Sequence, residues 1–443
     1  MCVGGRRTAI TPGRSQDISL LPQGRIIDNC LPILSKSLYL KARSPGFKLH
    51  SYYADFQSHP PSGWRVVAPG ESTRRGPGML RQFHVAIQTS HIFWNFSNLV
   101  SPALEKLAFP YTSRETPLEH YADITYCSNH VQTKSKNWVA DCEHVAALTG
   151  YYKPGVASHW LGQRLQDRSC GGFYCWSNKA VENARRILRS GFPNDKSHVV
   201  YPATSGAANS RDSRDFDGNV RICHMTTHRS SYLENISNFY VKGTRDFLLI
   251  LKLLSQVSPR LMRKMMVVIR AWCPQSYIAK LRALGVQIEM IEHPLARADA
   301  LSQLANSDLA MLPGHSTPTM AFIEAMSRSV PVIANDVWAN SEYLIDGKTG
   351  FLIPPARRVQ YFDSDLTPLW YRPDFTHSLI ASVDSDYLKR HLRVLEYLLE
   401  DENLLRSLKE ETGRYFARSP FEISSRNREL GLLLDKALNQ FVT

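Results

Sequence analysis

Cysteine is sparse in this 443-residue chain: eight thiols are scattered through it, and none stands in a CxxC spacing. That excludes a disulfide framework of the kind small secreted domains rely on, and points to reduced thiols in a cytosolic protein. The tightest pair, Cys170 and Cys175, has no clustered histidines beside it, so it reads as core thiols and not as a zinc site. Long hydrophobic runs are missing too. The apolar stretch LLILKLL (248–254) already contains a lysine, and nothing approaches the ~18 residues of a membrane-spanning helix. The first 30 residues hold arginines without a continuous apolar core, so no secretory leader is expected. Gly and Pro, at 24 and 25 residues, are too few for a collagen-like chain, and 43% hydrophobic residues are too many for disorder. What remains is a globular protein of two or three domains.

Negative charge is also in deficit, with 40 Asp+Glu against 53 Lys+Arg and a formal net charge of +13. The imbalance sits in the first half: residues 1–205 carry 24 basic and 13 acidic side chains, the remainder 29 and 27. A basic first half suits an anionic partner, whether nucleotide, phospholipid surface or nucleic acid; a solvated basic face is the alternative. Nucleic acid is the weakest of these, because interleaved aromatic platforms and basic helices are lacking.

The order of segments predicts the organisation. Residues 1–46, rich in Gly, Pro, Ser and Arg, read as a poorly ordered basic extension. Short apolar stretches then alternate with helix-like ones through HSYYADF, WRVV, HVAIQ, ADITYC (122–127), NWVADCEHV (137–145) and FYCWS (173–177). A helix follows at 178–192 and a strand at HVVYP (198–202), giving a first domain over 47–205. The polar run over 206–218 is the linker. Beyond it VRICHM (220–225), KMMVVIRAW (264–272), VQIEMI (286–291), DLAMLP (308–313) and PVIAND (331–336) read as buried strands. Amphipathic helical stretches separate them, so a second domain spans 219–415. A C-terminal helix over 416–443 is expected to return to the first domain. Continuous apolar strands with helices between them mean parallel sheets covered on both faces. The expected architecture is therefore α/β, two doubly wound domains facing across a cleft.

Chemistry concentrates in LPGHSTPTMAFIEAMSRSVPVIANDVWANSEYLIDGKTGFLIPP (312–355). A strand ends at Leu312, a polar loop follows, and Pro318 suits the first turn of a helix with Thr317 as N-cap. The open amides near Thr319 and Met320 make a seat for phosphate. Glu324, about a turn and a half further on, can accept two hydrogen bonds from a diol such as ribose. One more βα unit with a solvent-facing glutamate is the alternative.

EAMSRSVPVIANDVWANSEYLIDGKTGFLIPP resembles the donor-binding core of retaining GT-B glycosyltransferases of family 4, the glycosyl transferases group 1. The shared pattern is EAM, a small-residue turn, PVIA, Asp336, Glu342 six residues on, then DG, G and a PP end. VKGTRDFLLIL (241–251) is similar to that family's KG-x-D-x-LL segment, so the match is strongest over 220–355. The resemblance implies two Rossmann-like domains and transfer of a sugar from a nucleotide-diphosphate donor, with retention.

It also implies roles. The family's two glutamates stand eight positions apart: the second, which binds ribose, falls on Glu324, and the first, which contacts the donor sugar, falls on Ser316. A serine cannot make the same charge-assisted bond. The glycines that follow the first glutamate fall on Thr317 and Thr319; His315 or Ser316 could substitute in part, and a merely structural turn is the alternative. Lys242 matches the lysine that neutralises the diphosphate, Arg229 is the candidate for its paired arginine, and His144 for a histidine facing the donor sugar. Fixed cations stabilise charge growing on a leaving phosphate, so neither metal nor cofactor is expected. Asp363-Ser-Asp365 and Asp384-Ser-Asp386 could be read as magnesium sites but lie outside the motif and read as loops.

The expected partners are a nucleotide-sugar donor and a saccharide or lipid-linked acceptor, with peripheral contact to an anionic membrane and a cytoplasmic location. Two other readings stay open: a non-catalytic GT-B relative that binds nucleotide or glycan, suggested by Ser316, and another nucleotide-sugar enzyme such as an epimerase.

Overall fold

The computed structural model describes residues 36–41, 51–67, 112–113, 122–132, 137–149, 157–206, 219–226, 232–381 and 383–442. In chain order the strands are β1 (Lys36–Lys41), β2 (Trp64–Val67), β3 (Thr112–Ser113), β4 (Ile124–Ser128), β5 (Val131–Gln132), β6 (Trp138–Cys142) and β7 (Cys170–Cys175). β8 (Ser197–Val199), β9 (Val220–Met225), β10 (Met265–Arg270), β11 (Gln287–Met290), β12 (Leu309–Leu312), β13 (Val332–Asn335) and β14 (Gly350–Ile353) complete them. They build two six-stranded sheets, β2-β1-β4-β6-β7-β8 and β11-β10-β9-β12-β13-β14, and β3 pairs β5 apart from both. Every pairing in the two large sheets is parallel.

Parallel pairing follows from strand composition. Four of the six residues of β10 and all of β12 and β13 are buried, which only a sheet covered on both faces allows. Each crossover in the second sheet carries a helix; the longest, Thr244–Val257, turns Phe247, Leu248, Ile250, Leu251 and Leu254 into the core. The second sheet winds outward from β9 in both directions, through β10 to β11 and through β12 to β14. The reversal falls between β9 and β12, so a crevice opens beyond their carboxyl ends.

The sequence placed Lys36–Lys41 in a poorly ordered extension, and there the structure corrects it. β1 lies between β2 and β4, with Leu38 and Leu40 fully buried. Its partners begin at Trp64 and Ile124, so the stabilisation comes from distant segments that no local window contains. HSYYADF leads into the helix Ser51–Ser58, which buries Tyr52, Tyr53 and Phe56 against Tyr126 and Trp176. The helix Tyr232–Val241 leads directly into Lys242. HVAIQ (84–88) and most of the expected linker lie outside the described residues.

The helix Ile423–Val442 lies on the first sheet: Asp435 accepts bonds from Lys36 Nζ at 2.7 Å and Trp64 Nε1 at 2.9 Å. The buried Arg426 guanidinium stacks over Tyr52 and Phe56. Cys142, Cys170, Cys175, Cys223 and Cys273 are buried free thiols, and Cys127 is buried as well. Among the described residues no helix is long and apolar enough to cross a membrane.

Candidate functional site

A cleft of about 500 Å³ opens where the carboxyl ends of the two sheets meet. Its wall on the second domain is built by Cys223 and Met225 of β9, Arg270 of β10, Leu312 of β12 and the loop that follows. The first domain contributes Asn129 after β4, Glu143 after β6 and Trp176 after β7. The cleft thus stands at the strand-order reversal.

Lys242 owes its position to the glycine beside it. Gly243 has φ +77°, and a Cβ there would sit 2.3 Å from the carbonyl oxygen of Pro313. Only glycine admits both the conformation and the approach. The amide of His315 donates to the carbonyl of Val241 at 2.8 Å, pinning the same seam. Lys242 Nζ then reaches Ser316 Oγ at 3.0 Å. The lysine and the serine are hydrogen-bonded neighbours in the cleft.

The helix Thr319–Met326 starts at the same point. Pro318, not Thr317, occupies its N-cap position, and its ring offers no capping hydrogen bond. Thr317 Oγ1 is buried without a hydrogen-bond partner among the described residues. Thr317, Thr319, Met320 and Ala321 all line the cleft, and the first amides of a helix have no acceptor within it. The arrangement presents donors and partial positive charge to whatever occupies the cleft.

Glu324 lines the same wall, further along the helix. Burial raises its pKa, opposed chiefly by the charge of Arg297, whose Nε donates to Oε1 at 3.2 Å. Arg297 also bridges to the first domain: its guanidinium grips both carboxylate oxygens of Asp55 and donates to Thr204 Oγ1 at 3.0 Å. Arg270 faces the cleft within Coulomb reach of Glu324. Sequence reasoning missed Arg270, although the last residue of a strand beside the reversal point was a signal for it.

Two histidines singled out from sequence lie elsewhere. His315 is buried behind the loop, with Nε2 2.7 Å from Asp246 Oδ2 and Nδ1 2.8 Å from the Tyr361 hydroxyl. It is sandwiched by the rings of Tyr361 and Tyr387, and so stiffens the loop without lining the cleft. His144 is buried against Trp338 and Tyr371, and burial takes its pKa down to about 3. Its neighbour Glu143 is the residue that lines the cleft. Arg229 lies outside the described residues.

Three of the remaining carboxylates of the sequence patterns, Glu342, Asp384 and Asp363, have structural partners. Glu342 accepts the amides of Asn178 at 2.7 Å and Lys179 at 2.8 Å and the hydroxyl of Tyr201 at 3.0 Å, tying the second domain to a first-domain helix start. Asp384 caps the helix Ser385–Glu400 through the amide of Tyr387, and Asp363 closes a turn by accepting from Asp365 and Thr367.

Residues 235–366 match the family model described as glycosyl transferases group 1. A search of curated proteins finds no match. Among solved structures, HepE of Anabaena in complex with UDP and glucose superposes with a TM-score of 0.51 at 13% identity, covering 90% of this chain and 99% of that one. Sucrose-phosphate synthase from Thermosynechococcus elongatus gives 0.51 at 13% identity, covering 90% and 98%. WaaG, a glycosyltransferase involved in lipopolysaccharide biosynthesis, gives 0.50 at 13%, covering 91% and 98%. At such identities the likeness shows the fold, which is GT-B.

Proposed function

We propose that this chain is a glycosyltransferase that moves a sugar from a nucleotide-diphosphate donor to a saccharide or lipid-linked acceptor, with retention at the anomeric carbon. The observation that carries the reading is one wall of one cleft, lined by Lys242, the helix start at Thr319 and Met320, and Glu324; the first two suit a diphosphate and the third a ribose. Lys242 Nζ and the helix-start amides meet charge as it grows on the departing diphosphate, so they favour the transition state over the bound donor. Glu324 keeps carboxylate lone pairs for the ribose hydroxyls while Arg297 holds it in place. Arg270 adds positive charge to the wall at the ribose end. The charge neutralisation is supplied by the chain, and the scheme calls on no cofactor beyond the donor. Support also comes from the group 1 match over 235–366 and from HepE, whose fold this chain shares and whose crystals hold UDP and glucose. Retention rests on the family resemblance.

The test is calorimetric titration with UDP- and GDP-sugars, followed by NMR of the anomeric proton in any product. Binding and turnover with the donor's configuration kept is the expected result. Ser316 favours one other reading, a GT-B protein that binds a nucleotide sugar without using it; tight binding with no turnover on any acceptor would establish it. The basic first half supports peripheral contact with an anionic membrane, which sedimentation with phosphatidylglycerol vesicles at low and high salt would detect.

A further inference from the structure

A nucleotide sugar is a linear ligand: base, ribose, diphosphate, sugar. With ribose at Glu324 and diphosphate at Lys242 and the Thr319 helix start, the sugar falls beyond Lys242 and Ser316. Ser316 offers that end of the cleft a hydroxyl already engaged by Lys242. The carboxylate facing the cleft from the other wall is Glu143.

Its placement is built, not incidental. The amide of Glu143 donates to Asn129 Oδ1 at 3.3 Å, and Asn129 holds a left-handed turn (φ +51°) whose own amide bonds the Asp141 carbonyl at 3.1 Å. Two residues on, the amide of Val145 donates to the buried Asn183 Oδ1 at 3.1 Å. The backbone on both sides of Glu143 is therefore fixed. At the tip of the side chain the Tyr371 hydroxyl donates to Oε2 at 3.2 Å. Burial raises the Glu143 pKa, and the charge of Lys242, which lines the same cleft, is the largest influence opposing it.

We infer that Glu143 is the carboxylate that accepts hydrogen bonds from the donor sugar's hydroxyls, replacing from the first domain the glutamate whose position in the second is taken by Ser316. The inference rests on the donor reading above. It makes sugar recognition depend on the two domains being in register, because the ribose and sugar contacts come from opposite walls. It also assigns to Glu143, and not to the buried His144, the specificity-setting contact.

The experiment titrates the full chain with UDP, GDP, UDP-glucose, UDP-N-acetylglucosamine and GDP-mannose, in the wild type, E143Q and E324A. For the nucleotide sugar that the wild type binds, E143Q is expected to raise its Kd relative to that of the matching bare diphosphate by about tenfold. Affinity for the bare diphosphate should change little, and E143D should restore part of the loss. Glutamine keeps the shape and the bond from Tyr371, so a folding defect would show instead as equal losses for both ligands, and that result overturns the inference. An unchanged ratio in E143Q overturns it too, while a weakened E324A would leave the donor reading standing. A wild type that binds none of the five probes removes the donor reading itself.

Discussion

Lys242 Nζ donates a hydrogen bond to Ser316 Oγ at 3.0 Å, joining the turn after the Tyr232–Val241 helix to the loop after β12. The bond holds the ammonium beside the helix start with no opposing carboxylate at position 316. Lys242→Ala should weaken nucleoside diphosphate binding by about 1.5–3 kcal/mol, the range for hydrogen bonds to charged groups. Ser316→Ala removes only an orienting hydroxyl and should cost no more than about 1 kcal/mol. Calorimetric titration of both variants checks the pair; equal losses would overturn the assignment of the larger share to the lysine.

Glu324 is expected to read the ribose. Glu324→Ala should lower affinity for a ribonucleoside diphosphate by about 1–3 kcal/mol, and should abolish any preference for it over the 2′,3′-dideoxy analogue. Competition titration of the two nucleotides decides this. A preserved preference would place the ribose elsewhere.

Gly243→Ala should be severe. The new methyl meets a positive φ and the Pro313 carbonyl at once, so either the turn or the loop must move. We expect a loss of about 2 kcal/mol or more in urea denaturation, together with weaker nucleotide binding, because Lys242 and Ser316 lie on the two sides of that seam.

Asp141 makes stability pH-dependent. Burial lifts its pKa to about 6, against bonds from the hydroxyls of Tyr53 and Tyr126 that favour the charged form. A carboxyl with a raised folded pKa binds its proton more tightly in the folded state than in the unfolded one. Its contribution is therefore complete below the ordinary carboxylate pKa and is lost as pH rises through about 6. Urea melts at several pH values from below 4 to 7 should show a decline in the wild type that is smaller in Asp141→Asn. An identical pH profile in the two proteins would count against the shift.

Much of the second domain was legible in the sequence. VRICHM is β9 residue for residue, and TRDFLLILKLLSQV is the helix Thr244–Val257, because continuous apolar runs and amphipathic periodicity are local properties. The segment around Glu324 could be located the same way, since a strand, a polar turn and a helix start follow each other within a dozen residues.

Contacts between distant segments were decided by the tertiary structure alone. KSLYLK carries too little apolar sequence to declare itself, and it becomes an inner strand only because β2 and β4 flank it. Successive residues at a strand's end point in different directions, so the choice between Glu143 facing the cleft and His144 facing the core turns on a single step of backbone. The fully local term, which residues can form which element, is written in composition and period. Which side chains share a cleft depends on how two sheets pack, and that arrangement joins Arg297 to Asp55, Glu342 to Asn178 and Tyr371 to Glu143 across more than 150 positions of chain in each case.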